Sequence, residues 1–218
     1  MFHVKHSIQN SLITKEQLVG LNQLLSANDI KLSKYADLLL WWNSKINLVS
    51  RGVSRETVFE HVKHSLLLID FVNKSKSKRV IDTGTGGGLP GIPLAICMPD
   101  TQFVLNDIVS KKMMAVKQMI KTLELTNVVV QSGSIERMEV NNQDLVVTKH
   151  AFKLNELTTF LGEKDWSKLL FLKGEGEVAN ELSGINEPLK IHITNLDQVI
   201  KSDFYNGKAI VEVTRSHE

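Results

Sequence analysis

The residues best suited to chemistry lie in one glycine-rich stretch, residues 84–93, which follows a short apolar run. Asp82 stands directly ahead of it, and Gly84, Gly86 and Gly88 occupy every second position. Glycine lets the backbone approach a ligand closely, and a purely structural turn rarely needs so many of them. Ligands of open α/β sheets bind at the carboxyl ends of the strands. The sequence therefore predicts a ligand site at this loop.

Two kinds of cofactor suit such a loop. Gly86, Gly88 and Gly91 satisfy the GxGxxG pattern of dinucleotide sites, and the residues from Asp82 to Gly88 give the Asp-x-Gly-x-Gly-x-Gly pattern of S-adenosylmethionine sites. A pyrophosphate favours backbone amides with no anion beside them. Asp82 opposes a diphosphate but suits a ligand that carries an ammonium and a sulfonium. The aspartate favours S-adenosylmethionine, and a dinucleotide remains the alternative.

A second carboxylate, Asp107, follows the next apolar run, residues 102–106. At the end of a strand it can accept hydrogen bonds from both ribose hydroxyls of either cofactor. The same side chain could instead cap the helix that follows, although Ser110 competes for that position. Its offset from the glycine loop favours the ligand contact.

The elements that must position these residues follow from apolar periodicity. Up to about residue 75 the spacing is helical, with Ser33 and Ser54 as predicted helix N-caps. Beyond residue 79 strands alternate with helices, which predicts an α/β fold with a mostly parallel sheet. Seven strands are predicted, the last two antiparallel, at 79–82, 102–106, 127–131, 144–148, 168–173, 189–196 and 208–214. We expect a helical N-terminal cap over 1–75 and a sheet domain over 76–218.

Composition narrows the function classes. The formal net charge of +2 means that any nucleic-acid contact must come from local basic clusters. The single Cys97 excludes a disulfide framework or CxxC zinc site and suits a reducing cytoplasm. His61 and His64 lie three residues apart but no third ligand has recognisable spacing, so no metal is expected. The first residues lack the apolar core of a signal peptide, so we expect a cytoplasmic protein without membrane association.

Four segments carry a family resemblance. "IDTGTGGGLPGIPLAI", "LNDIVSKKMMAVKQM", "DLVVTKHAFKLNEL" and "LFLKGE", in this order, resemble the glucose-inhibited division protein B family of small-subunit ribosomal RNA guanine-N7 methyltransferases. The helical segment 41–68 resembles the family's "WNxxINLTS…HxxDSL", so the likeness covers roughly residues 33–175. It implies the class I S-adenosylmethionine-dependent methyltransferase (Rossmann-like) fold. It also implies methylation of N7 on one guanine in a conserved loop of 16S ribosomal RNA.

The resemblance also assigns site residues. It implies cofactor contacts at Gly84, Leu89, Ile135, Glu136 and Lys149. The family usually has Ser-Arg-Ala where this chain has 148–150, Thr-Lys-His, and lysine lacks the planar fork of arginine. Two further departures are Ser134, where an arginine is common, and His64, where the family has aspartate. These differences concern substrate geometry more than cofactor binding.

Methylation of guanine N7 needs residues that position the reactants, and the chain has candidates for this role. Guanine N7 has a lone pair and no proton, so attack on a sulfonium methyl needs no general base, and positioning does most of the work. Lys149 and Phe152 are the positioning candidates, the phenylalanine as a stacking platform, although core packing is its more ordinary role. Basic residues with predicted RNA contact follow strands two, four and five: Lys111, Lys112, Lys149, His150, Lys153 and Lys173.

Some alternatives remain open at this stage. Solvated surface is an equally good role for Lys111 and Lys112, and the basic segment 73–79 together with His3, Lys5 and His6 extends the basic patch with less support. A small NAD-dependent reductase, or a non-catalytic RNA-binding assembly factor that retains a cofactor pocket, also fits the pattern. The expected partner is 16S ribosomal RNA or a small-subunit assembly particle. We expect a monomer, because no long apolar surface stripe is left over.

Overall fold

The computed structural model describes residues 6–215, so His3 and Lys5 lie outside the described residues. One sheet runs through the molecule in the order β1-β7-β8-β6-β5-β2-β3-β4. All neighbours are parallel except β8, which is antiparallel to both β6 and β7. The strands are β1 (Ser7–Leu12), β2 (Arg79–Thr83), β3 (Gln102–Asp107), β4 (Val128–Ser132), β5 (Asp144–Lys149), β6 (Lys168–Gly174), β7 (Leu189–Asn195) and β8 (Lys208–Arg215). The predicted fold class is confirmed.

The predicted strand count of seven is wrong, because β1 is an eighth strand. It pairs in parallel with β7, from Ser7 opposite Lys190 to Leu12 opposite Asn195. Its sequence, SIQNSL, is mostly polar and mostly exposed, so it lacks the apolar alternation from which a strand is predicted. Backbone pairing at the sheet edge and the contact of Ser11 Oγ with His192 Nε2 at 2.8 Å hold it in place.

Eight α-helices cover the described part of the sheet. They are α1 (Lys15–Ala27), α2 (Asp29–Asn43), α3 (Arg55–Leu66), α4 (Ile69–Ser75), α5 (Gly91–Cys97), α6 (Ser110–Thr122), α7 (Leu154–Leu161) and α8 (Val178–Leu182). Ser54 caps α3 by accepting a hydrogen bond from the Thr57 amide at 3.2 Å, as predicted. The N-cap prediction for Ser33 is wrong, because α2 begins one turn earlier, at Asp29. None of the helices within residues 6–215 has the length and apolar character needed to cross a bilayer.

Alternating strand residues supply two separate hydrophobic cores. Val80 packs on one face with α1 to α6, whereas Ile81 packs on the other face with α7 and α8. The N-terminal helices α1 to α4, named the helical front below, therefore share a core with the first face of the sheet. Burial of their apolar side chains is the main contribution that stabilises them against the sheet. The division of the chain at residue 75 stays a prediction.

One buried hydrogen bond joins the helical front to the glycine loop. The Tyr35 hydroxyl in α2 is inaccessible to solvent and donates to the Gly87 carbonyl at 3.0 Å. A Cβ added at Gly87 would lie 2.4 Å from Cδ1 of Leu39, so the helix and the loop are in direct contact. The front of the chain therefore helps to fix the loop conformation.

Tyr35→Phe tests this connection. The change removes the donor and leaves the buried Gly87 carbonyl without a partner, which lowers the free energy of unfolding by about 1–3 kcal/mol. Urea denaturation followed by circular dichroism measures the loss. Ser33→Ala is the control, since that hydroxyl lies on the same helix and contacts only Asp29, at 3.4 Å. A Tyr35→Phe protein as stable as the control would show that the hydrogen bond does not anchor the loop.

Candidate active site

The glycine loop is held at both ends by one carboxylate. Asp82 lies near the end of β2 and is 0% exposed. Its Oδ2 accepts hydrogen bonds from the Thr85 hydroxyl at 2.5 Å and from the Gly91 amide at 2.8 Å. The loop therefore leaves β2 and enters α5 at positions set by this single oxygen.

The second oxygen of Asp82 is buried and has no hydrogen-bond partner within residues 6–215. Burial raises the pKa of Asp82 to about 7, and the charge of Asp107 acts in the same direction, against the hydrogen bonds from Thr85 and Gly91 and the charge of Lys149. A buried carboxylate oxygen without a donor is costly. A ligand that brings a positive charge or a donor to this oxygen would remove that cost.

Close packing explains the glycines at two positions. Gly84 has φ +70°, and a Cβ there would lie 2.3 Å from the Ala151 Cβ. Gly88 has φ +96°, and a Cβ there would lie 2.4 Å from Cδ1 of Ile92. L-residues rarely adopt these backbone angles, and neither position has room for a side chain. The loop presents bare backbone at the carboxyl end of β2, as the sequence predicts.

Asp107 lies at the end of the neighbouring strand, β3, and contacts the same loop. Its Oδ2 accepts from the Gly86 amide at 3.0 Å, and its Oδ1 accepts from the Val109 amide at 2.9 Å. The residue at the N-cap of α6 is Val109, without a side-chain cap, so neither Asp107 nor Ser110 fills that position. Each carboxylate oxygen can accept a second hydrogen bond, which leaves Asp107 able to bind ribose hydroxyls.

Three other residues with implied cofactor contacts lie around the same edge of the sheet. Leu89 is buried within the glycine loop. Ile135 and Glu136 form a 3₁₀ turn after β4, the first buried and the second exposed, and the Ser134 hydroxyl accepts from the Glu136 amide at 3.3 Å. Asn106 Nδ2 donates to the Gly133 carbonyl at 2.8 Å and so ties this turn to the end of β3.

Lys149 ends β5 beside the loop and contacts a residue from the helical front. Its Nζ lies 2.9 Å from Nδ1 of His61 in α3. Burial lowers the pKa of Lys149 to about 8, helped by the charge of Lys208 and opposed by that of Asp82. Burial also lowers the pKa of His61 to about 3, so the imidazole is neutral near pH 7 and accepts a hydrogen bond from the ammonium. The front therefore orients this lysine.

A cavity of about 620 Å³ opens next to the loop, at the carboxyl ends of β5 and β6. Phe152 is half-buried there, its ring edge-on to Phe160 with 5.9 Å between the centroids. Its Cε2 lies 3.0 Å from the position of a Cβ on Gly84, so the ring joins the loop to the cavity. The cavity is lined by His150, Ala151, Phe152, Lys153, Glu156, Lys173, Gly176, Glu177, Asn180 and Glu181.

The predicted basic residues do not all present free charge. Lys111, His150 and Lys153 are exposed, and Lys112 Nζ lies 3.9 Å from Oδ2 of Asp107. Lys173 is only 3% exposed and forms a buried ion pair with Glu181. The expected phosphate contact at Lys173 does not fit this arrangement, because the ammonium is neutralised inside the protein.

Sequence reasoning missed three residues that shape this edge. Glu181 neutralises Lys173 and also accepts from the Leu154 amide at 2.7 Å. His61 holds Lys149, and Lys208 starts β8 close to both. Only the register between distant segments brings these residues together, and no local spacing reveals that register. Within residues 6–215, no group of three potential metal ligands occurs.

Comparison with known proteins gives a consistent family assignment. A family model described as "GidB: rRNA small subunit methyltransferase G" matches residues 28–202. The "Ribosomal RNA small subunit methyltransferase G" of Chlorobium phaeobacteroides is 42% identical over 162 residues, 72% of this chain and 73% of that protein. The protein of the same name from Chlorobium chlorochromatii is 35% identical and covers 94% of this chain and 89% of its own length.

Solved structures with low sequence identity share the fold. An O-methyltransferase from Bacillus cereus in complex with SAH has a TM-score of 0.54 at 16% identity, covering 83% of this chain and 90% of that chain. An O-methyltransferase from Streptomyces achromogenes in complex with SAM has a TM-score of 0.53 at 14% identity, covering 86% and 90%. At these identities the likeness concerns the fold alone, and it confirms the predicted class I methyltransferase architecture.

The environment of Asp82 predicts a specific pH dependence of stability. The pKa in the folded state, about 7, lies above the ordinary value of 3.8, so Asp82 lowers the free energy of unfolding progressively as the pH rises from about 4 to about 7, and the loss is complete above the folded pKa. Asp82→Asn removes this titration. We expect the free energy of unfolding of the variant, relative to the wild type, to rise by about 2 kcal/mol between pH 5 and pH 8.

Urea denaturation at several pH values measures this difference. Asp165→Asn, which changes an exposed carboxylate outside the site, is the control and should follow the wild-type curve. Parallel curves for wild type and Asp82→Asn across this range would show that the carboxylate is not strained by burial.

Proposed function

Because the chain belongs to the GidB family, the rRNA small subunit methyltransferases G, we propose that it methylates N7 of one guanine in a loop of 16S ribosomal RNA, with S-adenosylmethionine as the methyl donor. The observation that carries the proposal is the buried oxygen of Asp82, unpartnered among residues 6–215, beside a glycine-rich loop. A ligand that carries an ammonium group and lies close to the loop backbone matches both features.

The residues present fit this donor. Asp82 would receive its ammonium, Asp107 its ribose hydroxyls, and Gly84, Gly86, Gly88 and Leu89 would provide close backbone, with Ile135, Glu136 and Lys149 at the margin. S-Adenosylmethionine, when bound, supplies an electrophilic methyl group on a sulfonium. Asp82 does not suit a pyrophosphate, because an ionised carboxylate in the loop repels it.

The chain's own residues provide position instead of proton transfer. Guanine N7 has no proton to lose, so the site needs no general base, and orientation of the two reactants lowers the barrier. Phe152 offers a ring at the junction of the loop and the 620 Å³ cavity, where an unstacked base would lie next to the loop. Lys149, held by His61, presents a positive charge beside the same loop.

The target base must leave its stack to reach this site. N7 faces the deep, narrow major groove of A-form RNA, which side chains do not enter, so the guanine has to be unpaired or splayed out. This costs a few kcal/mol in a duplex and less in a loop. The exposed Lys111 and Lys153 would contact backbone phosphates of such a loop as cations. Burial and the charge of Lys149 lower the pKa of His150 to about 4, so this side chain would contact a phosphate as a neutral hydrogen-bond donor, and Lys173 is left out of this surface.

The proposal includes a cellular compartment, a partner and an oligomeric state. We place the reaction in the cytoplasm and assign the RNA, alone or in a small-subunit assembly particle, as the partner of a monomer. A non-catalytic assembly factor would bind the same RNA without transferring a methyl group, and a reductase would leave RNA modification untouched. Mapping of the modified bases separates the methyltransferase from both of these alternatives.

Mass mapping of methylated bases in 16S ribosomal RNA tests the function. A strain that lacks this chain should lose one N7-methylguanine, and the wild-type gene should restore it. Lys149→Met removes the charge but keeps the aliphatic stem, and we expect it to lower the methylation rate at least about tenfold. Lys117→Met, on the exposed face of α6, is the control.

Two results would contradict parts of this proposal. Unchanged modification after deletion would rule out catalysis on this RNA. Loss of a methyl group from an amine or a ribose would retain the methyltransferase but refute the N7 assignment.

A further inference from the structure

Two lysines from distant parts of the chain meet at the rim beside the glycine loop. Lys149 ends β5, with its Nζ 2.9 Å from Nδ1 of His61. Lys208 begins β8, with its Nζ 3.7 Å from the ring centroid of Phe204. The rings of His61 and Phe204, which contact the two lysines, lie 5.0 Å apart between their centroids. In agreement with this proximity, the charge of Lys208 lowers the pKa of Lys149, and both lysines lower the pKa of His150.

Neither lysine has an acidic partner. Within residues 6–215, no carboxylate oxygen comes within 4.0 Å of either Nζ. Asp82 is the one acid whose charge raises the pKa of Lys149 among the described residues, and its Oδ2 is hydrogen-bonded to Thr85 and Gly91. A partly buried pair of like charges without a counterion is electrostatically unfavourable.

Lys173, at the same edge of the sheet, has carboxylate partners. It lies on β6 between the two strands that carry Lys149 and Lys208, and it is paired with Glu181 and, at 3.7 Å, with Glu177. Among the described residues, Lys173 is therefore paired with carboxylates, whereas Lys149 and Lys208 are not. This contrast indicates that the charge of the two unpaired lysines is available to a ligand.

An imidazole behind the lysines supports the same conclusion. His64 is 0% exposed, and both of its ring nitrogens lack a hydrogen-bond partner in the described part of the chain, residues 6–215. Its ring lies 6.2 Å from that of His150 and 5.9 Å from that of Phe204. One nitrogen of a neutral imidazole is a donor, so a buried donor without an acceptor lies next to the unpaired cations.

From this placement we propose that Lys149, Lys208 and His150 form a binding site for a ligand oxyanion. The inference rests on the proposed function, which offers two sources: a phosphate of the RNA backbone, or the carboxylate of the methionine part of the cofactor. Lys208 is half-buried and His150 exposed, so both open to the outside, whereas Lys149 lies deeper beside Asp82. The open side favours the RNA phosphate.

Lys208→Gln tests the site, because it removes the charge and keeps most of the side chain. Binding of a labelled single-stranded RNA of mixed sequence is measured by fluorescence anisotropy over a series of salt concentrations. For one lost phosphate contact, affinity should fall several-fold, and the slope of log K against log salt should fall by about 0.7–0.9. S-Adenosylhomocysteine affinity, measured by calorimetry, should stay unchanged.

Two further variants make the result specific. Lys168→Gln removes an equal charge from the opposite end of β6, where Lys168 Nζ lies 3.2 Å from Oε2 of Glu212, and it should leave both affinities unchanged. Lys208→Arg keeps the charge and should retain RNA binding, which separates charge loss from misfolding.

The measured affinities distinguish an RNA phosphate from the cofactor carboxylate as the ligand. They also distinguish failure of the oxyanion site from failure of the proposed methyltransferase function. Weaker S-adenosylhomocysteine binding in Lys208→Gln with unchanged RNA binding would assign the site to the cofactor carboxylate. Unchanged affinity for both ligands would overturn the oxyanion site. A wild-type protein that binds no S-adenosylhomocysteine at all would instead contradict the proposed function, and the RNA comparison between the variants would still be decisive for Lys208.

Discussion

A buried carboxylate in contact with both ends of a glycine loop is the constraint on which the site depends. Asp82 lies near the tip of a central strand, where solvent cannot stabilise its charge. One oxygen fixes the loop through Thr85 and Gly91, and the other has no partner among the residues that the structure describes. Without a ligand, one oxygen of the carboxylate that fixes the loop therefore lacks a hydrogen-bond donor among the described residues.

Three distant segments close around the loop that this carboxylate fixes. Tyr35 and Leu39 press on it from α2, and the Leu48 carbonyl lies 3.3 Å from the position of a Cβ on Gly86. Ala151 and Phe152 approach from the opposite side, after β5. The helical front thus contributes directly to the loop and, through His61, to Lys149. The segment ahead of the sheet is part of the candidate site.

Much of this arrangement could be predicted from the sequence because it depends on local patterns. Buried apolar runs mark the central strands, and the spacing of Asp82 and the glycines marks the loop. β1 escaped prediction because an exposed edge strand needs backbone pairing but no apolar alternation. The fate of Lys173 could not be predicted either, since its neutralisation depends on Glu181 from a helix that folds back over β6.

Contacts between distant segments of the site could not be predicted from the sequence. That Lys149 is a basic residue at a strand end is visible in the sequence, but its contact with His61 joins residues 88 positions apart. The pairing of β6 with β8 brings Lys208 to the same edge, opposite Gly174. Such contacts follow from sheet order and register, which residue spacing alone does not specify.

Calorimetric titration of the purified protein with S-adenosylhomocysteine at pH 6 and pH 8 tests the central claim most directly. The ammonium of the ligand requires ionised Asp82, whose pKa is about 7. We therefore predict saturable binding that is about tenfold weaker at pH 6 than at pH 8, and no binding of NADH. Absence of heat with S-adenosylhomocysteine at both pH values, together with saturation by NADH, would contradict the account.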